Sequence, residues 1–362
     1  MKFSDLRYLL AYIVPVFCFL GLYIGGWAAP GLLYFSFLFV PLIELFVPAS
    51  TRNDAEDILQ AKSRLPIFDW LLYLNLPAIY FIVGYFIWLL GHQEWTTAER
   101  IFSILNVGVF LGVSGINVAH ELGHRQNQFD RWMARLLLIP VLYSHFTLEH
   151  NYGHHIKVAT PEDPATARKN QPLYFFFIRS IVLGYRNAWE IEKRMLDKKQ
   201  RSIFSSEILW SHVAHLALLA IVFSVSGGSG LLTYIFTALV GILTLESVNY
   251  IEHYGLVRKK LASGRYEPMT EAHSWNSNHE IGRIVLFELV RHADHHYQTT
   301  RKYLALRHLD ESPQLPFGYP MSIMIAFVPP LWFWLMNPRV DRANGVTADP
   351  KPLHPETHLV AD

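Results

Sequence analysis

The sequence predicts an all-α, polytopic membrane protein: six transmembrane helices carrying a histidine-rich metal region at the cytoplasmic face. Three observations carry that prediction. Of 362 residues, 51% are hydrophobic and 14% aromatic, while 17% are charged, against roughly a quarter in soluble globular proteins. Uncharged apolar runs recur at the length that crosses a hydrocarbon core of about 30 Å as helix. Eighteen histidines are present, and nine of them stand in four short clusters that the expected topology places at or just beyond the cytoplasmic membrane boundary.

The first span, near residues 9–24, follows Lys2 and Arg7 and precedes Ala28-Ala29, a pattern shared with cleavable signal peptides. Its apolar stretch is longer than the about 7–15 residues typical of such a signal, so it is expected to remain as the first helix. Further spans are expected near residues 32–47, 70–90, 101–119, 208–225 and 231–250. The run 132–146 is apolar but short and opens on Arg131 and Arg135. A crossing there would place His150 on the opposite face from His124, so it reads as an interfacial or cytoplasmic helix. Residues 175–183, with Arg179 inside, read as an amphipathic helix on the membrane. The run 321–336, broken by Pro329-Pro330, also reads as interfacial. Residues 1–336 thus form one integral-membrane domain, and residues 337–362 a polar C-terminal tail.

Orientation follows from Lys and Arg. The connections 23–31, 91–100 and 226–230 contain only Arg100, and the other basic residues fall in the termini and in 48–69, 120–207 and 251–320. The positive-inside rule therefore puts both termini and the long segments in the cytoplasm. The 31 Lys and Arg are balanced by 30 Asp and Glu, so no basic footprint points to nucleic acid. A single cysteine, Cys18, excludes a disulfide framework, a thiolate zinc site or an iron–sulfur cluster within the chain.

The clustered histidines are His120 and His124; His150, His154 and His155; His253; and His292, His295 and His296. On a helix, residues i and i+4, or i and i+3, share a face. His120 with His124, His150 with His154, and His292 with His295 are each expected to aim at one ion. The neighbours His154-His155 and His295-His296 diverge by about 100° on a regular helix and suit two ions. Nine nitrogen donors exceed the four of a tetrahedral or the six of an octahedral ion, so two metals with four or five imidazoles each are expected. Each cluster has an adjoining carboxylate, Glu121, Glu149, Glu252 or Asp294, and Asp163 lies close to the second. Metal-bound imidazoles usually donate their second N–H to such a group, which fixes the ring. Imidazole suits iron, copper, zinc and nickel alike. The Glu-x-x-His pair of soluble di-iron bundles occurs once among these clusters, as Glu121–His124, so such a bundle is not expected. The other nine histidines, His92, His145, His212, His215, His273, His279, His308, His354 and His358, read as structural or solvated.

These motifs resemble the membrane-bound alkane 1-monooxygenases of the integral-membrane desaturase and hydroxylase superfamily. His120–His124, Glu149–His155, Asn249–Gly255 and Arg291–His296 match that family's four histidine motifs in order, and Asn249-Tyr250-Ile251-Glu252-His253-Tyr254-Gly255 is the distinguishing one. Val290 and Ala293 depart from it where Gln and Ser are usual, which bears on substrate preference more than on metal binding. The resemblance implies a six-helix fold, two iron ions as a non-haem di-iron centre held by the nine histidines, and terminal hydroxylation of medium-chain alkanes with O2. It implies electrons from rubredoxin, reduced by an NADH-dependent rubredoxin reductase, and a place in the cell inner membrane. Lys198, Lys199, Arg258, Lys259 and Lys260 are candidates for meeting that acidic donor, and equally for membrane anchoring.

An alkane is an apolar small molecule from the lipid bilayer, bound only by enclosure and shape. Trp70, Tyr80, Phe86 and Trp88 are candidates to gate its length, although core or lipid-facing packing is the commoner role of such residues. The closest rival is a related hydroxylase or desaturase acting on acyl chains or aryl methyl groups. More remote are an intramembrane zinc protease, suggested by His120-Glu121-x-x-His124, and a metal transporter, whose ligands would lie at mid-membrane.

Overall fold

The computed structural model describes residues 3–346, whose regular structure is helical, with two isolated β-bridges and no strand among them. The long apolar helices are α1 (Asp5–Ile24), α3 (Pro66–His92), α4 (Thr97–Gly123) and α8 (Glu207–His253). Each is long and apolar enough to cross a membrane. The shorter α2 (Gly31–Glu44) falls short of the about 20 residues a perpendicular crossing needs, where the sequence suggests a span to residue 47. Between these lie α5 (Gln128–Leu138), α6 (Phe146–Glu149) and α7 (Leu173–Lys198). The chain ends with α9 (Glu280–Val285), α10 (His292–Tyr297), α11 (Tyr319–Ala326) and α12 (Pro329–Ala343).

α8 is two helices in one. Gly227 has φ 64° and ψ −168°, a left-handed conformation that favours glycine, and the chain reverses there. His215 before it and Glu246 after it both return to one spot, bonding Ser144 and Tyr143. Its outward faces carry exposed apolar side chains such as Trp210, Phe223 and Phe236, a surface suited to lipid rather than water.

The bundle has two unlike ends. At one, the three short connections meet: the backbone N–H of Gly26 donates to Glu99, and Arg100 donates to Ser229. At the other lie all nine clustered histidines. The grouping of the three connections agrees with their assignment to a single membrane face. Inside, Asn106 ties three helices together, accepting from the Leu32 N–H and donating to the Cys18 carbonyl. α4 lies close against α8 because Gly108 and Gly112 have no Cβ. A Cβ at Gly108 would stand 2.4 Å from Val240, and one at Gly112 2.7 Å from Thr244. Gly108→Val should therefore destabilise the bundle by about 1–3 kcal/mol, read as a lower thermal midpoint in detergent; an unchanged midpoint would show the interface to be loose.

The segment between His124 and His150 does not cross the bundle. α5 begins at Asn127, whose side chain accepts from the Phe129 N–H. The chain then turns through Leu142 at φ 59° into α6, and His124 and His155 end 3.1 Å apart. α7 buries Phe176, Ser180 and Asn187 and exposes Tyr174, Phe175, Ile178 and Val182, the two-faced pattern expected of it. α11 and α12 meet at a bend of 119°. The polar tail read from residue 337 starts inside α12, where Asn337 accepts from Tyr254. The helix continues past Pro338, an interior proline that costs it a backbone hydrogen bond, because Met336 and Val340 on either side are buried in the core. Met1, Lys2 and residues 347–362, with His354 and His358, lie outside the described residues.

Candidate metal centre

The nine clustered imidazoles form two adjoining groups. His120, His124, His150, His155 and His295 make one, and His154, His253, His292 and His296 the other; within each group the candidate ligand atoms all lie within 4.8 Å of one another. In the first, Nε2 of His155 stands 2.9 Å from that of His150 and 3.1 Å from that of His124. In the second, Nε2 of His296 stands 2.9 Å from that of His292 and 3.3 Å from that of His154. The rings of His155 and His296, 4.3 Å apart, join the two.

The neighbours diverge as their helical spacing requires: His154 and His296 serve one group, His155 and His295 the other. Two expected pairs are different. His150 joins His155 rather than His154, because His150–His154 is a π-helical turn, in which residues five apart, not four, share a face. His292 joins His296, four residues on, and not His295; α10 is regular, so the i, i+4 relation prevails over i, i+3. A second π-helical turn, Leu111–Ile116, precedes His120 in α4.

The donor set fits metal cations. Burial holds the imidazoles of His150, His155, His292, His295 and His296 well below the ordinary histidine range, helped by neighbouring imidazoles. His124 is brought down to about 3 by the same causes. Neutral imidazole has one N–H and one lone pair, so four or five nitrogens converging at these distances cannot all satisfy one another. Nε2 of His120 and both ring nitrogens of His295 are buried without any partner. Such orphans are rare in folded proteins, and a cation shared by each group satisfies the one nitrogen that each ring offers it. The chain thus builds a metal site.

The carboxylates divide differently from expectation. Only Asp163 takes an outer imidazole nitrogen: Nδ1 of His154 lies 2.9 Å from its Oδ2. Burial opposes charge on His154, but Asp163 outweighs it and raises the imidazole's pKa; the pairing in turn lowers that of Asp163. Glu121 accepts from Arg125 and the Tyr303 N–H, Glu149 from Asn187, and Asp294 from Arg307. They clamp the histidine-bearing segments to the surrounding protein, because cationic and amide donors, near in sequence for Glu121 and distant for Glu149, reach them first. With Glu121 so engaged, the His-Glu-x-x-His protease arrangement has no free carboxylate base. Glu252 points inward. Tyr319 O–H donates to its Oε1 at 2.6 Å, and its Oε2 stands 3.2 Å from Nε2 of His292, on the side where that group's nitrogens converge.

An apolar pocket ends at these imidazoles. Its inner wall is His120, His150, His292 and Glu252, and its sides are Gly112, Val113, Phe146, Thr244, Leu245, Val248, Leu286 and Leu289. The gate candidates lie elsewhere. Trp70, Tyr80 and Trp88 are exposed on the outer surface, and Phe86 packs in the core against Trp95. The first three have the lipid-suited outward placement common for such residues, and only Phe86 is held by core packing. Of the basic docking candidates, Lys198, Lys199, Lys259 and Lys260 are exposed. Arg258 is half-buried and donates to the carbonyls of Glu267 and Ile156. His273 bonds Thr270 and Glu267, and His279 bonds Ser277, so neither joins the nine.

Residues 100–324 match the family described as fatty acid desaturase. The chain is 38% identical over 309 residues to an alkane 1-monooxygenase of Pseudomonas putida, spanning 84% of this chain and 77% of that protein. It is 36% identical over 346 residues to that of Ectopseudomonas oleovorans, spanning 93% and 86%. It is also 30% identical over 340 residues to the xylene/toluene monooxygenase hydroxylase component of Pseudomonas putida, spanning 92% and 88%.

Proposed function

This chain belongs to the alkane 1-monooxygenase family, within the wider fatty acid desaturase family, and on that premise we propose that it hydroxylates the terminal methyl of medium-chain alkanes at a non-haem di-iron centre. The observation that carries the reading is the apolar pocket closed at its inner end by two groups of imidazoles. His120, His124, His150, His155 and His295 would hold one iron, and His154, His253, His292 and His296 the other, with Glu252 at hand. Bound iron supplies O2 reduction and C–H oxidation, with electrons from reduced rubredoxin and its NADH-dependent reductase.

The protein's own part is enclosure and orientation. An alkane offers no polar handle, so the pocket must select by shape. Val113 lies seven residues before His120 on α4, in the π-helical turn Leu111–Ile116. Thr244 and Leu245 lie at a similar remove from His253. A chain entering past these residues meets the imidazoles with its end methyl. Asp163 orients His154, and Tyr319 orients Glu252. In the proposed topology six helices cross the inner membrane, the first half of α8 being the fifth and the second half the sixth, with the termini and the imidazoles cytoplasmic. Lys198, Lys199, Lys259 and Lys260 then face the compartment of a soluble acidic donor.

Purified protein supplied with rubredoxin, its reductase, NADH and labelled O2 should convert a medium-chain alkane to the 1-alcohol carrying one labelled oxygen. No alcohol under those conditions would overturn the reading. Val113→Phe should shorten the longest alkane accepted while leaving metal content unchanged; an unaltered chain-length profile would remove Val113 from the pocket wall. A second reading, oxidation of an aryl methyl group, draws on the likeness to the xylene/toluene relative. Competition between alkane, fatty acyl and aryl substrates, resolved by product, separates the readings.

A further inference from the structure

A second and smaller chamber lies beside the metal centre. It measures about 20 Å³, room for one water, which needs at least about 10–15 Å³. Phe146, His150 and Asn249 wall both this chamber and the apolar pocket. Unlike the pocket, it is lined by Glu246, Glu149, Tyr143 and His145.

Glu246 sits in the apolar second half of α8 and is buried. It accepts from Tyr143 O–H at 3.1 Å, Ser180 O–H at 2.6 Å and Asn249 Nδ2 at 3.3 Å. The ionisable groups facing it from neighbouring elements are Tyr143, Glu149 and His154, with Arg179 on α7. It hydrogen-bonds none of the nine imidazoles. A carboxyl buried without a cation partner is costly, and the metal site does not account for this one. Across the chamber, Nε2 of His145 is buried and has no partner. Burial and the neighbouring His212 and His215 hold that imidazole down to about 3, so it is neutral near pH 7. A water between these groups has the two to four polar partners that buried waters use.

The polar groups continue outward. The ring of His145 rests on that of Tyr143 at 4.4 Å and that of Tyr185 at 5.0 Å. Tyr185, at the surface, stands 3.1 Å from His212 through its hydroxyl. We propose that this chamber holds a water through which Glu246, hydrogen-bonded to Tyr143, relays protons to the metal centre. The inference rests on the hydroxylase reading. Hydroxylation places one oxygen of O2 in the C–H bond and releases the other as water, consuming two electrons from the donor and two protons. Apart from its inner end, where the imidazoles, Glu252 and Tyr319 stand, the apolar pocket is lined by no ionisable group, whereas the chamber reaches the same imidazole, His150, from the polar side. Glu246 acts through the water and does not touch substrate.

The test compares Glu246→Gln, which keeps the shape but cannot carry a proton, with Glu246→Asp, which can. In the reconstituted holoenzyme, alcohol formation by Glu246→Gln should fall about 10²-fold, the lower range for a lost proton donor, with metal content retained. Its residual turnover should show a larger solvent deuterium isotope effect than the parent, and Glu246→Asp should recover most of the rate. Independently of turnover, infrared difference spectra of parent minus Glu246→Gln should contain a carboxylic-acid C=O band that shifts in D2O. Parental rate and isotope effect in Glu246→Gln, or no exchangeable band, would overturn the relay. Should Glu246→Gln fail to fold, Tyr143→Phe must slow alcohol formation about tenfold for the relay to stand, and a parental rate there would also overturn it. A parent protein that makes no alcohol would instead defeat the hydroxylase reading.

Discussion

His295→Ala is expected to lose one metal ion and essentially all turnover, and His292→Ala to lose the other. The two residues share α10 and lie three positions apart, yet their rings belong to different groups. His295 is buried with both nitrogens unpartnered, so its only role in the packing is to face the five-imidazole group. His292 faces His253 and His296 at 3.2 and 2.9 Å. Truncating His292 leaves three imidazoles for its ion, and truncating His295 leaves four around an unfilled position on the other; each weakens its own group and leaves the other complete. Metal content should fall from about two ions per chain to about one in each variant, and alcohol formation by at least about 10³-fold, since residues acting as one unit fail together. Elemental analysis beside product assay reads both. A variant that keeps both ions and its rate would remove that histidine from the centre.

Asp163→Asn should weaken metal binding by about 10–100-fold, the usual cost of removing the partner that orients a ligating imidazole. The carboxylate is buried, accepts from Thr166 O–H at 2.5 Å and the Ala165 N–H at 3.1 Å, and holds Nδ1 of His154. The amide keeps the shape but loses the charge that makes His154 the stronger donor. Glu121→Gln is the control. Glu121 stands between two metal-group histidines in sequence but bonds Arg125 and Tyr303, so metal affinity should change by less than about threefold, within the small effect of a group that does not touch a ligand. Competition against a chelator measures both. Equal losses in the two variants would mean that proximity in sequence, not the contact to His154, sets the affinity.

The sequence made some of this legible and hid the rest for identifiable reasons. Helical spacing was enough to separate His154 from His155 and His295 from His296, because adjacent residues must diverge on any regular helix. It could not reveal that His150 pairs with His155, since a π-helical turn leaves no mark in residue types. Charge placement located the end of the bundle that holds the imidazoles, and the meeting of Gly26 with Glu99 and of Arg100 with Ser229 agrees with it. Carboxylate roles were mostly hidden because the partners Tyr303, Asn187 and Arg307 are selected by tertiary packing; only the i, i+4 pair of Glu121 with Arg125 could be read from spacing. Glu246 and Tyr143 escaped notice inside apolar runs. A lone acid there, and a histidine such as His145 at the end of an interfacial run, were the available signals.

The account depends on two metal ions in unlike surroundings, one facing five imidazoles and the other facing four with Glu252 beside them. Mössbauer spectroscopy of protein grown on isotopically enriched iron tests this most directly. The expected result is two quadrupole doublets of equal area, one of which alone is lost in His295→Ala. A single doublet from one iron per chain, or a protein that takes up zinc in place of iron, would contradict it.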